Sequence, residues 1–124
     1  MNLSLTRIVL YVQDVQRLTE FYRDVLGLRV VEELKDEWTV LQAGHCQLGL
    51  HRVGKAFRVA DASSWRVNSN AKLVMTVHED LETLRGELIA KGVPMRAIKS
   101  YPGFTGLLCD GTDLEGNVFQ LAQA

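Results

Sequence analysis

The chain has 124 residues and the composition of an ordinary globular domain, with 47% apolar and 23% charged residues. Fourteen Lys and Arg residues oppose fifteen Asp and Glu residues, and neither sign forms the block that a nucleic-acid or anionic-membrane partner requires. No run of about 18 apolar residues spans a membrane, and the first residues lack a signal-peptide pattern. We therefore expect a cytoplasmic protein in which Cys46 and Cys109 are reduced thiols.

The first predicted elements are a strand and a helix. Alternating apolar positions from Arg7 to Val12 predict the strand. Asp14 is a favourable N-cap and Gly27 a favourable left-handed C-cap. The stripe between them has a period of 3.6 residues and consists of Val15, Leu18, Phe21, Tyr22, Val25 and Leu26. Three strand-like runs follow, separated by turn residues: Arg29–Leu34, Trp38–Ala43 and Cys46–Arg52.

The second half of the chain repeats this pattern. Thr6–Leu28 aligns with Ala71–Val93 at a constant offset of 65 residues, so that Gly27 matches Gly92. The repeat predicts a strand that begins near Lys72 and a helix with the apolar stripe Leu81, Leu84, Leu88 and Ile89. Three further strands are predicted at Pro94–Ile98, Gly106–Asp110 and Asn117–Ala122. Two copies indicate a duplicated module rather than a solenoid.

These repeats define the predicted organisation. The fold class is α+β, with two tandem βαβββ modules at residues 1–53 and 71–124 and a polar linker at 54–70. The linker contains Phe57 and Trp65. Either these aromatic side chains cover a site or they pack on the edge of a module.

A duplicated module of this length, with FYRDVLGL near the end of the first helix and DLEGNVFQL at the C-terminus, resembles the vicinal oxygen chelate superfamily. This group contains glyoxalase I, the bleomycin- and fosfomycin-resistance proteins and the extradiol dioxygenases. The resemblance covers nearly the whole chain except the linker, and departs from the family at Leu114, where a proline is usual. It implies a curved mixed sheet around a cleft that is the active or binding site, and a homodimer.

Enzymatic members of the superfamily bind a divalent metal through His, Glu or Gln side chains on the first and last strands of each module. Carried over by position, these places hold Arg7, Gly49, Lys72 and Gln120. Arg and Lys repel a dication, Gly has no side chain, and a single amide oxygen does not hold a metal. We therefore predict no metal and no other cofactor.

A rebuilt metal site is the alternative. It would use His51 and Gln120, with Glu32 or Glu33 as a further ligand. The other two histidines are expected at the surface: His45 in a turn, and His78 exposed or capping the second helix.

The candidate ligand-binding residues occupy strand positions that face the cleft, or flanking strands and loops. They are Arg7, Val9, Tyr11, Trp38, Gly49, His51, Lys72, Val74, Thr76, Phe104 and Gln120. Arg7 and Lys72 either recognise an anionic group, or pair with carboxylates of the protein, or cover apolar surface with their stems while their charged ends reach water. No catalytic residue is assigned, because the chain has no nucleophile elbow, P-loop or dinucleotide motif.

The leading functional prediction is metal-free binding of a small organic molecule, with an anionic group as one option, similar to the bleomycin-resistance branch. Two alternatives stay open. One is a metal-dependent lyase, isomerase or dioxygenase with an atypical ligand set, and the other is a non-catalytic interaction or regulatory module.

Overall fold

The computed structural model describes the whole chain, Met1–Ala124, and divides it into two compact units, Met1–Trp65 and Arg66–Ala124. Each unit contains one sheet with an α-helix packed on it. This arrangement confirms the predicted α+β class and the duplicated module. None of the helices is both long and apolar enough to cross a membrane.

The first unit is built on a four-stranded sheet. Its strands have the predicted bounds: β1 (Arg7–Val12), β2 (Arg29–Leu34), β3 (Trp38–Ala43) and β4 (Cys46–Arg52). The spatial order is β1-β4-β3-β2, in which only β1 and β4 are parallel. The β2–β3 register shifts between Val30 and Glu32, a bulge that bends the outer strand.

The helix of this unit changes its winding part of the way along. The α-helix α1 (Val15–Glu20) continues as a π-helix over Phe21–Val25. Asp14 caps its start, because its carboxylate accepts the Arg17 amide at 3.1 Å, and Gly27 follows its end with φ of 76°. The cap and the terminal glycine are therefore where the sequence predicts them.

Beyond β4 the linker contains only two short 3-10 turns, Lys55–Phe57 and Ala62–Ser64. The buried side-chain amide of Gln13 holds this segment to the first unit. It donates to the Phe57 carbonyl at 2.9 Å and accepts the Val59 amide at 3.1 Å. The Phe57 ring itself is exposed, so the aromatic residue contributes its backbone and not its side chain to this attachment.

The second unit has a three-stranded sheet and the helix α2 (Leu81–Ala90). Its strands are β5 (Lys72–Thr76), β6 (Leu107–Thr112) and β7 (Val118–Gln123), in the order β5-β7-β6 with β5 parallel to β7. The cap of α2 is Asp80, which accepts the Thr83 amide at 3.0 Å. Ile89 of the predicted apolar stripe is exposed.

The predicted strand Pro94–Ile98 is wrong. That segment makes only isolated bridges to β6, between Met95 and Gly111 and between Lys99 and Leu108. Pro94 has no amide hydrogen to donate, and the four steps from Met95 to Lys99 oppose three steps from Leu108 to Gly111. The extra residue prevents a continuous ladder.

The DLEGN motif forms the turn that joins β6 to β7. Buried Asp113 accepts the amides of Glu115 and Asn117 through one carboxylate oxygen, at 2.9 and 3.0 Å, and the Asn117 side chain through the other at 2.9 Å. Gly116 supplies the positive φ of 89°. Leu114 replaces the usual proline without disturbing these bonds.

Candidate functional site

In the first unit, strand register gathers six of the predicted site residues on one face of the sheet. Parallel pairing places Arg7, Val9 and Tyr11 beside Gln47, Gly49 and His51, and β3 adds Trp38 opposite His51. Residues two apart in a strand share a face. We call this surface the first-unit face. Its members are Arg7, Val9, Tyr11, Trp38, Gln47, Gly49 and His51.

Arg7 is held by uncharged neighbours. Its Nε and one terminal nitrogen donate to the Gln47 side-chain oxygen at 3.1 and 2.8 Å, and its guanidinium lies 5.6 Å from the Trp38 ring centroid. No ion pair of the chain includes Arg7. The structure therefore excludes pairing with a carboxylate for this residue, and leaves anion recognition and simple exposure of the charged end to water as the two remaining alternatives.

His51 lies between two other rings of the same face. Its ring centroid is 5.2 Å from that of Tyr11 and 5.5 Å from that of Trp38. The Nδ1 atom lies 2.8 Å from the Arg52 carbonyl, which can only accept, so the neutral ring carries its proton there. In that neutral tautomer, Nε2 is the acceptor atom of the ring.

The indole of Trp38 is fixed from two sides. Its Nε1 donates to the Glu32 carboxylate at 2.6 Å, which engages one of the acidic residues considered for a rebuilt metal site. On its other side, the ring covers Gly49: a Cβ atom at position 49 would lie 2.8 Å from the Trp38 ring. The ring occupies this position because the residue at 49 has no side chain.

The second unit brings Lys72 and Gln120 together around an acidic residue that sequence reasoning missed. Asp110, on β6, receives Lys72 Nζ at 2.7 Å on one carboxylate oxygen and Gln120 Nε2 at 2.9 Å on the other. Lys99 Nζ lies 4.0 Å away. For Lys72 the second reading applies, because its charge is paired with a carboxylate of the protein.

Asp110 is nearly buried, at 6% exposure, yet it is ionised. Burial raises the pKa of its carboxyl, but the hydrogen bonds from Lys72 and Gln120 and the nearby lysine charges outweigh burial and hold the pKa below its usual value. Buried Cys109 on the same strand behaves oppositely: burial raises the pKa of the thiol, which stays protonated and lies 3.2 Å from the Arg96 carbonyl.

The remaining predicted residues are less closely grouped. Val74 and Thr76 are exposed on β5, with Val74 opposite Gln120 in the strand register. Phe104 lies in the irregular segment before β6, where its ring packs against Gly106. Its assignment to the site stays a prediction.

Two residues of these arrangements, Gln47 and Asp110, were not among the predicted ligand-binding residues, although strand parity places Gln47 on the face of Gly49 and His51. Gln47 and Asp110 have the same strand parity as Gly49 and Gln120, and the paired strands bring them to Arg7 and Lys72. The alternation of side chains along each strand could have indicated both residues. Assigning them to the site also requires the register between neighbouring strands, which the sequence does not give.

The positions that the resemblance assigns to metal ligands do not fit a divalent cation. Two of them carry cations, Arg7 and Lys72; Gly49 is covered by Trp38; and the Gln120 amide donates to Asp110. The chain also contains no cluster of three His, Cys, Asp or Glu side chains suited to a metal. We derive no chemistry through a metal at these residues.

Comparison with known proteins agrees with the fold. A family model described as the glyoxalase/bleomycin resistance protein/dioxygenase superfamily matches residues 4–120. The chain belongs to this superfamily.

Solved structures similar to the chain include a lactoylglutathione lyase from Agrobacterium tumefaciens, with 17% identity, a TM-score of 0.76, and coverage of 98% of this chain and 93% of that one. An antibiotic-binding protein from a Streptomyces species has 20% identity and a TM-score of 0.72, with 99% and 98% covered. The fosfomycin resistance protein FosX from Listeria monocytogenes has 13% identity and a TM-score of 0.70, with 100% and 93% covered. At these identities the likeness shows the fold.

Proposed function

We propose that this protein binds a small organic molecule without a metal, and that the ligand presents an anionic group and a planar ring to the first-unit face. The observation that carries the proposal is the state of Arg7. At a place where enzymatic relatives hold a metal ligand, this chain holds an uncompensated guanidinium fixed by Gln47 and Trp38.

The arrangement suits an oxyanion beside an aromatic ring. Gln47 occupies Nε and one terminal nitrogen of Arg7, and the other terminal nitrogen is left for a carboxylate or phosphate oxygen. Tyr11, Trp38 and His51 provide ring faces and edges next to that charge. Because Trp38 is held by Glu32, little side-chain freedom is lost when a ring packs on it.

Similar proteins include binding and resistance proteins as well as a lyase, so the choice of binding rests on Arg7 and not on the comparison. One of the similar structures is an antibiotic-binding protein, and another is a resistance protein. The proposal extends to a homodimer, which rests on the family resemblance and is tested by light scattering of the purified chain. The cytoplasmic location rests on the sequence pattern alone and stays part of the proposal. The interaction-module alternative predicts instead that no small molecule binds.

Binding of 4-nitrobenzoate, compared with the neutral isostere 4-nitrobenzamide, tests the proposal. The chain contains two tryptophans, Trp38 and Trp65, and the variant Trp65→Phe retains only Trp38. Quenching of its emission then reports on the first-unit face. We expect saturable quenching by the anion and affinity weakened about tenfold by Arg7→Gln, since one charge-assisted contact of roughly 1.4 kcal/mol is lost.

Arg23→Gln is the matched control, because Arg23 is an exposed arginine that pairs with Asp24 on the helix. It should bind like the parent protein. Equal binding of the benzoate and the benzamide, or no loss in Arg7→Gln, contradicts the role of Arg7. If neither probe binds, the proposed function is contradicted.

A further inference from the structure

The first unit contains a cavity of about 350 Å³ at the end of its sheet where β1 and β4 stop. Its wall comes from the loop after β1, the β2–β3 turn, the last residue of β4 and the linker. The volume is within the range of small-molecule sites, roughly 300–1,000 Å³. We propose that this cavity binds a small organic zwitterion, a molecule that carries one ammonium and one carboxylate group.

The cavity lies on the opposite side of the sheet from the first-unit face. Arg52, in its wall, follows His51 along β4, and successive side chains of a strand point to opposite faces. Arg52 pairs in register with Val12, which is buried, whereas Tyr11 and His51 of the first-unit face are exposed. No residue of the first-unit face lines the cavity. The two sites are therefore on different surfaces of the same unit.

The linker side of the cavity is fixed within the protein. The buried side chain of Gln13 donates to the Phe57 carbonyl at 2.9 Å and accepts the Val59 amide at 3.1 Å. These two bonds hold the start of the linker against the end of the sheet. A wall that is formed before the ligand arrives lowers the entropy that binding costs.

Four charged side chains line the cavity, two of each sign, and one of each sign is already engaged. Arg52 pairs with the Glu37 carboxylate at 3.2 Å. The Asp14 carboxylate accepts the Arg17 amide at 3.1 Å as the cap of α1. The charges that remain for a ligand belong to the other arginine and the other aspartate.

These two residues, Arg58 and Asp36, form no ion pair with each other or with any other residue. Arg58 Nε donates to the Val53 carbonyl at 3.2 Å, which orients the guanidinium and leaves both terminal nitrogens for a ligand carboxylate. Asp36 offers an acceptor for a ligand ammonium group. An anion alone would also meet the charge of Asp36, and a cation alone that of Arg58. A ligand with both charges matches this wall best.

Titration of the ¹⁵N-labelled protein with 5-aminovalerate and L-valine tests the proposal, and pentanoate and pentylamine are the probes with a single charge. We expect saturable shifts of the Asp36, Val59 and Ala60 amides with a zwitterion. The tighter of the two zwitterions identifies the spacing of the charges that the cavity accepts. Saturation by neither zwitterion, or equal affinity for pentanoate or pentylamine, overturns the proposal.

Charge-removing variants assign the two ends of the ligand. Arg58→Gln and Asp36→Asn should each weaken binding of the tighter zwitterion about threefold, the effect of losing one exposed ion pair. Asparagine tolerates the φ of 64° at position 36, so the turn is retained. Arg23→Gln and Asp24→Asn, at an exposed pair on the helix, should bind like the parent. Unchanged affinity in either cavity variant overturns the proposal.

The two binding proposals fail independently. Arg7→Gln should leave binding of the zwitterion unchanged, and Arg58→Gln should leave binding of 4-nitrobenzoate unchanged. A loss of zwitterion binding in Arg7→Gln would place the zwitterion on the first-unit face and overturn the assignment to the cavity.

Discussion

The indole of Trp38 lies directly over Gly49, so close that a Cβ atom at position 49 would stand 2.8 Å from the ring. The two residues are diagonal neighbours across β3 and β4, since Trp38 pairs with His51 and Gly49 pairs with Val40. The resemblance to enzymatic members of the superfamily implies a metal ligand at this strand position. Here the Trp38 ring occupies the volume that a metal-ligating side chain at position 49 would need. The ring can lie there only because Gly49 has no side chain.

Gly49→Ala should displace Trp38. Accommodating one methyl group against the ring should lower the free energy of unfolding by about 1 kcal/mol. It should also weaken binding of 4-nitrobenzoate. Urea denaturation and Trp38 emission in the Trp65→Phe background measure the two effects.

Gly86→Ala is the control for this variant, because we expect it to raise the free energy of unfolding where Gly49→Ala lowers it. Gly86 lies inside α2 with open space around it, so alanine should stabilise the protein by about 0.5–1 kcal/mol through helix propensity. Unchanged stability and unchanged Trp38 emission in Gly49→Ala would contradict the close contact between the ring and position 49.

Asp113→Ala should be the more damaging change. Asp113 is 3% exposed and accepts three hydrogen bonds within the β6–β7 turn, so the variant leaves buried amides without an acceptor. We expect a loss of about 3 kcal/mol of unfolding free energy, measured by urea denaturation. Asp24→Ala, at an exposed carboxylate paired with its neighbour Arg23, should leave the midpoint unchanged. A similar midpoint for both variants would refute the role of the turn.

Asp110→Asn should change how stability depends on pH. The pKa of Asp110 is lowered in the folded protein, so its contribution is complete above the unfolded-state pKa and is lost as the pH falls through the folded value. We expect the parent to be more stable than the variant at pH 7 and the gap to close below about pH 4. Melting temperatures from pH 7 to pH 2.5 measure the gap, and a constant difference across that range would contradict the assignment.

Elemental mass spectrometry of tag-free protein tests the metal-free proposal directly. After dialysis with Ni, Zn, Mn or Fe, we expect less than about a tenth of an equivalent of each, because Arg7 and Lys72 repel dications. A near-stoichiometric metal that survives dialysis and disappears in His51→Ala would favour the enzyme alternative. The ligand set would then include residues other than those assigned here.

Local pattern was sufficient to predict the strands of the first unit and both ends of its helix, but not the π-helix at Phe21–Val25. Alternating side chains and turn residues gave the bounds of β1 to β4, and Asp14 and Gly27 marked the helix. The Lys72–Asp110 pair was out of reach, because the predicted strands ended at Asp110 and resumed at Asn117. The turn around Asp113 is shorter than the predicted gap between these two strands, so β6 continues to Thr112. The resulting register places Asp110 opposite Gln120. Such a register depends on side-chain bonds inside a turn, which periodicity does not encode.

The π-helix at Phe21–Val25 also explains how the two repeats keep their sequence offset. The strands and the terminal glycines of the two halves, such as Gly27 and Gly92, are offset by 65 residues. The apolar residues of the two helices are offset by 66 residues instead. Val15, Leu18 and Tyr22 match Leu81, Leu84 and Leu88. The first helix begins one residue early, and a wider turn takes up the surplus before the shared glycine. Length variation between the duplicated halves is thus absorbed inside a helix, and the chain enters β2 without any shift of the sheet that carries Arg7.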